Sequence, residues 1–284
     1  MSKIKKKILI TGARGFIGKN LIKDLSSNYF IYATTSKNIK NKKDIEYINY
    51  TEKNFSVLKN LKIDYIINCH GKISNHSYKD VFNDHYIFIK KLLNNLNKKY
   101  LKKIIHIGSM DEYSNSISGR DGLIKEKPNE VYGIIKNRVT KLILEYSKKF
   151  NIKCVIFRIF LAYGKNQKLP RLIPYLKNCI KKNEIAHLND FNAFKSFIHI
   201  DDLIKIIQFS LKNNMKYNLY NISSGKKHSI RSIVKNLSRK YDLQYTYEIK
   251  KNPKTQFLID SKINNEIKIK YKHFYKELDQ IIAS

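Results

Sequence analysis

Ile8-Leu9-Ile10-Thr11-Gly12-Ala13-Arg14-Gly15-Phe16-Ile17-Gly18 is the stretch on which the reading of this chain turns. Three β-favouring residues run straight into Gly12, Gly15 and Gly18, and Leu21, Ile22 and Leu25 then return at helical spacing. The pattern predicts strand, tight turn, helix. One glycine serves the sharp turn, another lets a bulky group approach the main chain, and a third lets the helix pack closely on its strand. Such a turn leaves an open helix N-terminus whose unpaired N–H groups suit a pyrophosphate. Gly12, Arg14, Gly15, Phe16, Ile17 and Gly18 are therefore expected to hold a dinucleotide, although Gly-x-x-Gly-x-x-Gly is not the commonest spacing for that purpose.

Working outward, Phe30–Thr34 reads as a second strand, Ile45–Ile48 as a third, and a helix is expected around Phe55–Leu61. Asp64–Gly71 and Lys103–Ser109 are apolar strands that end in small or polar residues, with a helical pattern through Leu92, Leu93 and Leu96 between them. Asn129–Phe150 has a clear helical period, and Cys154–Phe160 is another buried strand. Strands alternating with helices, each strand almost continuously apolar, predict an α/β fold: a Rossmann-like, doubly wound parallel sheet covered on both faces. Ligands of such sheets bind at the strands' carboxyl ends, where Gly12, Gly71 and Ser109 fall; Gly71 joins the expected cofactor contacts. From about Lys165 the alternation weakens, with a helix over Leu169–Ile180, a strand over Lys195–Ile200 and a helix over Asp201–Leu211, whose N-cap is read as Asp201 and Asp202. The expected division is a dinucleotide-binding domain over 1–164, carrying the catalytic residues, and a smaller α/β substrate lobe over 165–284 with some segments returning to the main domain.

The formal charge of +33 would ordinarily point to nucleic acid or an anionic membrane. Only seven of the 56 basic residues are arginine, however, and the lysines are scattered along the whole chain. No tract concentrates the charge, so neither a nucleic-acid nor a membrane partner is expected. Met1–Lys7 is merely polar and basic and no run approaches a membrane span, which makes the expected location cytoplasmic. Cys69, Cys154 and Cys179 lie far apart in apolar settings and read as reduced core residues. His70, His106 and His199 lack carboxylate or cysteine neighbours at ligand spacing, so they read as core residues and no metal is expected.

Tyr132 and Lys136 stand one helical turn apart on a single face. A phenol's ordinary pKa of about 10 is too high for easy proton exchange at neutral pH, and a neighbouring ammonium lowers it by stabilising the phenolate. Ser109, at a strand end, can donate to a substrate oxygen whose charge changes as hydride moves. These three are the predicted catalytic residues. Asp111 and Glu112 read equally well as solvated loop charges or as groups facing substrate.

Thr11-Gly-Ala-Arg-Gly-Phe-Ile-Gly18, Ser109, Tyr132-Gly-Ile-Ile-Lys136, Arg158-Ile-Phe-Leu-Ala-Tyr-Gly164, Phe197-Ile-His-Ile-Asp-Asp202 and Tyr220-Asn-Ile-Ser-Ser-Gly225 occur in the order and at about the separations of the extended short-chain dehydrogenase/reductases. Across nearly its whole length the chain resembles the nucleotide-sugar epimerases, dehydratases and reductases of that family. The resemblance implies a nucleotide-sugar substrate, a nicotinamide dinucleotide, and a homodimer that pairs two helices from each subunit, here Ile87–Leu96 and Val131–Phe150. Related dehydratases follow the serine or threonine with acidic residues, whereas here Met110 comes first and Asp111 is one carbon shorter than the usual glutamate, which disfavours elimination. His85 falls where the family usually has asparagine, and Leu161 where a substrate-contacting asparagine is common. Lys195 stands in place of an arginine that meets the nucleotide diphosphate, keeping the charge but losing the bidentate fork. Asp111, Lys195, Arg171 and Arg231 are the expected substrate contacts, with Arg171 and Arg231 equally readable as surface cations.

The implied reaction is reduction of a nucleotide-linked keto sugar, a 4-keto-6-deoxyhexose, in making a surface polysaccharide. A 4-epimerase is the runner-up, a 4,6-dehydratase comes behind it, and a dinucleotide-binding sensor module is the non-catalytic alternative. NADP(H) is preferred over NAD(H), because the second strand ends Thr34-Thr35-Ser36-Lys37 with no acid before Asp44 to receive the ribose hydroxyls. Ser36, Lys37 and Arg14 instead offer a 2′-phosphate hydrogen bonds and positive charge.

Overall fold

The computed structural model describes residues 4–53, 55–71, 77–114, 117–120 and 126–284. Strand β1 (Lys7–Thr11), helix α1 (Phe16–Leu25), β2 (Phe30–Thr35) and β3 (Ile45–Asn49) come first, then a short α2 (Tyr50–Lys53) and β4 (Tyr65–Asn68). The next helical stretch is interrupted: α3 (Tyr78–Phe82) runs through a π-helical turn at Asn83–Ile87 into α4 (Phe88–Asn94). There follow β5 (Lys103–Ser109), β6 (Ile117–Arg120), α5 (Val131–Phe150), β7 (Lys153–Ile159), β8 (Leu161–Tyr163), α6 (Leu172–Lys182), β9 (Ala186–Leu188) and β10 (Phe194–His199). The chain ends with α7 (Ile200–Lys212), β11 (Leu219–Ile222), β12 (Lys227–Ser229), α8 (Ile230–Tyr241), β13 (Tyr245–Tyr247), β14 (Gln256–Asp260) and α9 (Phe274–Ile282).

The central sheet has seven strands in the order β11-β7-β5-β4-β1-β2-β3 and is Rossmann-like and mostly parallel. The chain steps from β1 out through β2 and β3, then returns to lay β4 on β1's other edge. That reversal is the switch point where such sheets bind their ligands. The parallel register aligns Leu9 with Ile66 and Ile104, and, one pleat further on, Thr11 with Asn68 and His106. Because side chains alternate between faces, both rows point the same way. The first row is apolar and packs with Phe88 and Leu92 of α4 and Val139 and Ile143 of α5. Fully burying each such side chain contributes about 1.5–3 kcal/mol. The second row is polar, at the carboxyl end of the sheet.

Two compact units are present: residues 1–112, 128–158 and 206–220 form one, and 113–127, 159–205 and 221–284 the other. The second unit carries a sheet in the order β12-β10-β14-β6, with β8 alongside β10. Its core joins Ile233, Val234 and Leu237 of α8 to Leu278 and Ile281 of α9 and Phe197 of β10.

Two local expectations need correction. The helix expected around Phe55–Leu61 is a 3₁₀ turn, Ser56–Asn60, entered through Phe55 in the left-handed region at φ 59°. Asp201 and Asp202 do not cap α7, which already starts at Ile200 and holds both in its first turn. Asp202 accepts from the Lys272 backbone N–H at 2.8 Å and Asp201 pairs with the Lys272 amine at 2.9 Å. They still suit the positive end of the helix dipole.

Candidate active site

The glycine turn is built to exclude side chains. Gly12 sits at φ 65°, and a Cβ there would come within 2.6 Å of the Cys69 carbonyl oxygen; one on Gly18 would come within 2.3 Å of the Gly12 oxygen. Gly15 caps α1 without any side-chain hydrogen bond, and the first turn contains no acid. Arg14 and Gly15 are exposed, with Phe16 and Ile17 half-buried. An uncapped N-terminus with an adjacent arginine fits a dinucleotide's diphosphate, so these residues match the group they were expected to hold. When bound there, a nicotinamide dinucleotide would supply hydride chemistry.

After β2 the chain is turned by Thr35, whose Oγ1 accepts from the Lys37 backbone N–H at 3.0 Å. Ser36 and Lys37 are left exposed. Asp44, the first acid beyond them, is held by Lys5 at 2.9 Å. Gly71 stands at φ 144°, and a Cβ on it would lie 2.1 Å from His85 Cε1. Its bareness therefore makes room for His85, a buried residue of the π-helical turn whose ring meets the Tyr132 ring edge-on at 5.4 Å.

Ser109 ends β5 and begins a tight turn. Its hydroxyl donates to Asp111 Oδ2 at 3.0 Å and accepts from the Asp111 backbone N–H at 3.2 Å. Met110 is buried. Glu112 is wholly buried, so it is no solvated loop charge. Its carboxylate accepts from the Ser109 backbone N–H at 2.8 Å, from Thr140 Oγ1 at 2.7 Å and from Arg158 Nε at 2.8 Å. Arg158, 1% exposed, thereby gains a partner for a charge that would be costly to bury alone. Gly108 and Gly133 provide the room: a Cβ on Gly108 would lie 2.5 Å from Glu112 Oε1, and one on Gly133 would lie 1.9 Å from the Asp111 carbonyl oxygen. The turn that presents Ser109 thus rests directly on the first turn of α5, where Tyr132 stands half-buried.

Lys136 is 3% exposed and donates to the Ile107 carbonyl at 2.7 Å. Burial lowers its pKa to about 8 against the pull of Glu112 and Cys69, while Arg158 pushes the same way as burial. Its amine also lies 3.4 Å from His106 Nε2. His106, read from the sequence as a core residue, is fully buried and its pKa is held well below the ordinary value, chiefly by burial.

The expected substrate contacts in the second unit are seated as follows. Lys195 on β10 donates to the Lys254 carbonyl and, at 3.2 Å, to Gln256 Oε1. Arg171 precedes α6 as its N-cap residue, half-buried. Arg231 lies exposed in α8's first turn with its guanidinium 5.7 Å from the centre of the Phe191 ring. Among the described residues no group of three or more His, Cys, Asp or Glu could hold a metal ion.

Sequence reasoning passed over Asn68 and the pairing of His106 with Lys136, and left Glu112 open between a solvated loop charge and a group facing substrate. A signal for the first existed: β1, β4 and β5 each place a polar residue two positions after an apolar one on the same face. No comparable signal marks Glu112, whose partners lie 28 and 46 residues away along the chain.

Residues 8–223 match the family model described as the NAD dependent epimerase/dehydratase family. The chain is 25% identical over 260 residues to ADP-L-glycero-D-manno-heptose-6-epimerase of Brachyspira hyodysenteriae, covering 82% of this chain and 81% of that one. It is 25% identical over 265 residues to dTDP-4-dehydro-6-deoxyglucose reductase of Escherichia coli, again covering 82% and 81%. In fold it is similar to UDP-glucuronic acid 4-epimerase from Bacillus cereus, solved with UDP-glucuronic acid and NAD, at a TM-score of 0.82 and 21% identity over 98% of this chain and 99% of that one. With the glycine turn, the strand-end serine and the Tyr–Lys pair in one fold, the chain belongs to the NAD-dependent epimerase/dehydratase family and is an enzyme of the extended short-chain dehydrogenase/reductase type.

Proposed function

We propose that this enzyme uses NADP(H) to reduce the keto group of a nucleotide-linked sugar, the C4 carbonyl of a 4-keto-6-deoxyhexose. The observation that carries this reading is the end of β2, where Ser36 and Lys37 are exposed, no carboxylate precedes Asp44, and Arg14 projects from the neighbouring glycine turn. A carboxylate there would accept ribose hydroxyls and repel a 2′-phosphate; hydroxyl, amine and guanidinium favour the phosphate. A 2′-phosphorylated, reduced cofactor in turn favours net reduction.

In this mechanism Tyr132 gives its phenolic proton to the carbonyl oxygen as that oxygen gains charge. Lys136, one turn along α5, steadies the resulting phenolate and anchors the ribose. The Ser109 hydroxyl releases Asp111 and donates to the same oxygen. Met110 has no proton to move, so elimination of water is not catalysed. The test is to compare dissociation constants of NADPH and NADH for the wild type and for Arg14→Ala. NADPH is expected to bind more tightly, with Arg14→Ala weakening NADPH alone. Tighter binding of NADH, or equal weakening of both, would remove the basis of the reading.

A second reading, epimerisation at C4 with a retained cofactor, is favoured by the epimerase relatives and needs the same Tyr132, Lys136 and Ser109. Net consumption of cofactor separates the two.

A further inference from the structure

The polar row Thr11, Asn68 and His106 forms one hydrogen-bonded chain that ends at Lys136. Its polarity can be read from the end that admits no ambiguity. The backbone N–H of His70 can only donate, and it points to Asn68 Oδ1 at 3.2 Å as well as to Thr11 Oγ1 at 3.2 Å. The Cys69 N–H also donates to Thr11 Oγ1, at 3.2 Å. With two N–H groups already aimed at its oxygen, the Thr11 hydroxyl sends its own hydrogen to Asn68 Oδ1, at 2.5 Å. Both groups facing Oδ1 are donors, so the amide oxygen must lie on that side.

The Asn68 Nδ2 group therefore faces the imidazole, 2.8 Å from His106 Nδ1. An NH₂ can only donate, so Nδ1 accepts and the neutral ring carries its hydrogen on Nε2. A doubly protonated ring would set N–H against N–H inside a fully buried site. The Nε2–H points at the Lys136 amine, 3.4 Å away, whose ammonium form would likewise meet it with a hydrogen. An uncharged amine, by contrast, offers a lone pair.

We propose that His106 is a positioning residue for Lys136: locked by Asn68 as its Nε2–H form, it turns a donor hydrogen toward the lysine amine and sets how readily Lys136 gives up its proton. The importance of this for turnover rests on the reading of Lys136 as part of the catalytic set. Burial and Arg158 push Lys136 the same way as the ring hydrogen, whereas the other charged neighbours, Glu112 and Cys69, oppose it by favouring the ammonium. Around His106 itself, burial first and then Lys136, His85 and Arg158 disfavour a charged ring, against a backbone hydrogen bond at Asn68 that favours it.

The tautomer is tested first, without cofactor, by ¹⁵N NMR of the histidine rings, with His106 assigned through the signal lost in His106→Gln. The Nε2–H form is expected, and an Nδ1–H form would overturn the proposal. The second arm uses Asn68→Asp, near-isosteric, whose carboxylate still accepts from Thr11 and His70 but requires a hydrogen on His106 Nδ1. The ring then turns a lone pair toward Lys136, which keeps its proton to higher pH. Affinity for reduced cofactor, lost in the wild type as pH rises through about 8, should be lost about one pH unit higher in Asn68→Asp. Asn68→Asp combined with His106→Phe keeps the new charge but not the ring, and should show less than half that shift. An unmoved limb in Asn68→Asp, or an equal shift in the double variant, would also overturn it. Tyr132→Phe separates the two claims: full turnover in that variant would remove the catalytic reading while leaving the tautomer result standing.

Discussion

At the scale of single residues, the roles proposed for Tyr132 and Lys136 differ in a way that kinetics can resolve. Tyr132→Phe removes the transferable proton and leaves the ring, so the rate should fall by about 10²–10⁴-fold with little change in cofactor affinity. Lys136→Met should lose rate and cofactor affinity together, and equal losses of affinity in both variants would contradict the division. The pair was legible in the sequence because a 3.6-residue period places i and i+4 on one face whatever the tertiary structure. Ser109 was legible because an apolar run ending in Gly-Ser marks a strand end. Glu112 was not: a carboxylate three residues after Ser109 reads as well solvated as buried until Arg158 and Thr140, distant in sequence, are seen to hold it.

At the scale of elements, the turn after β5 and the first turn of α5 form one seat. Glu112→Ala removes the buried carboxylate that Arg158 Nε donates to and should cost about 3–5 kcal/mol in urea unfolding. Gly133→Ala places a methyl 1.9 Å from a backbone oxygen, so turn or helix must move; about 1–3 kcal/mol of stability should be lost, and kcat with it. Wild-type kcat in the Gly133→Ala enzyme would show that the seat does not position Ser109 and Tyr132. The α/β alternation that gives these elements was plain in the sequence, with ends misplaced by only a few residues. The π-helical turn at Asn83–Ile87 was not, because its extra residue per turn leaves the apolar pattern on both sides intact and is stabilised by the packing of His85 over Gly71. In the second unit β10 was read as a short strand, whereas the other described strands, three to five residues long, are too short to show a period.

At the scale of the whole molecule, buried and half-buried histidines make the fold acid-sensitive. His106, His199 and His228 all have pKa values lowered chiefly by burial, that of His228 to about 4. Below about pH 6.5 the unfolded chain binds protons that the folded chain refuses, so stability falls as pH drops, by up to about 1.4 kcal/mol per pH unit for each histidine that stays neutral. Unfolding midpoints at pH 7 and pH 5 should show this, with a smaller drop in His106→Gln. A midpoint independent of pH would contradict it. A homodimer is proposed through α4 and α5, next to which Tyr78, Phe82 and Tyr86 stack at ring separations of 5.9 and 5.0 Å. Sedimentation should give a dimer for the wild type and a monomer for Leu142→Glu, which places a charge in the cleft lined by Phe82 and Tyr86.

Net hydride transfer to the sugar is tested most directly by supplying a nucleotide-linked 4-keto-6-deoxyhexose with NADPH deuterated at the transferable position and following the sugar by mass spectrometry. The expected result is one deuterium gained at C4 for each NADPH oxidised, abolished in Tyr132→Phe. No NADPH consumed and no deuterium gained with the keto sugar, together with inversion at C4 of a nucleotide hexose supplied without NADPH, would contradict reduction and establish the epimerase reading in its place.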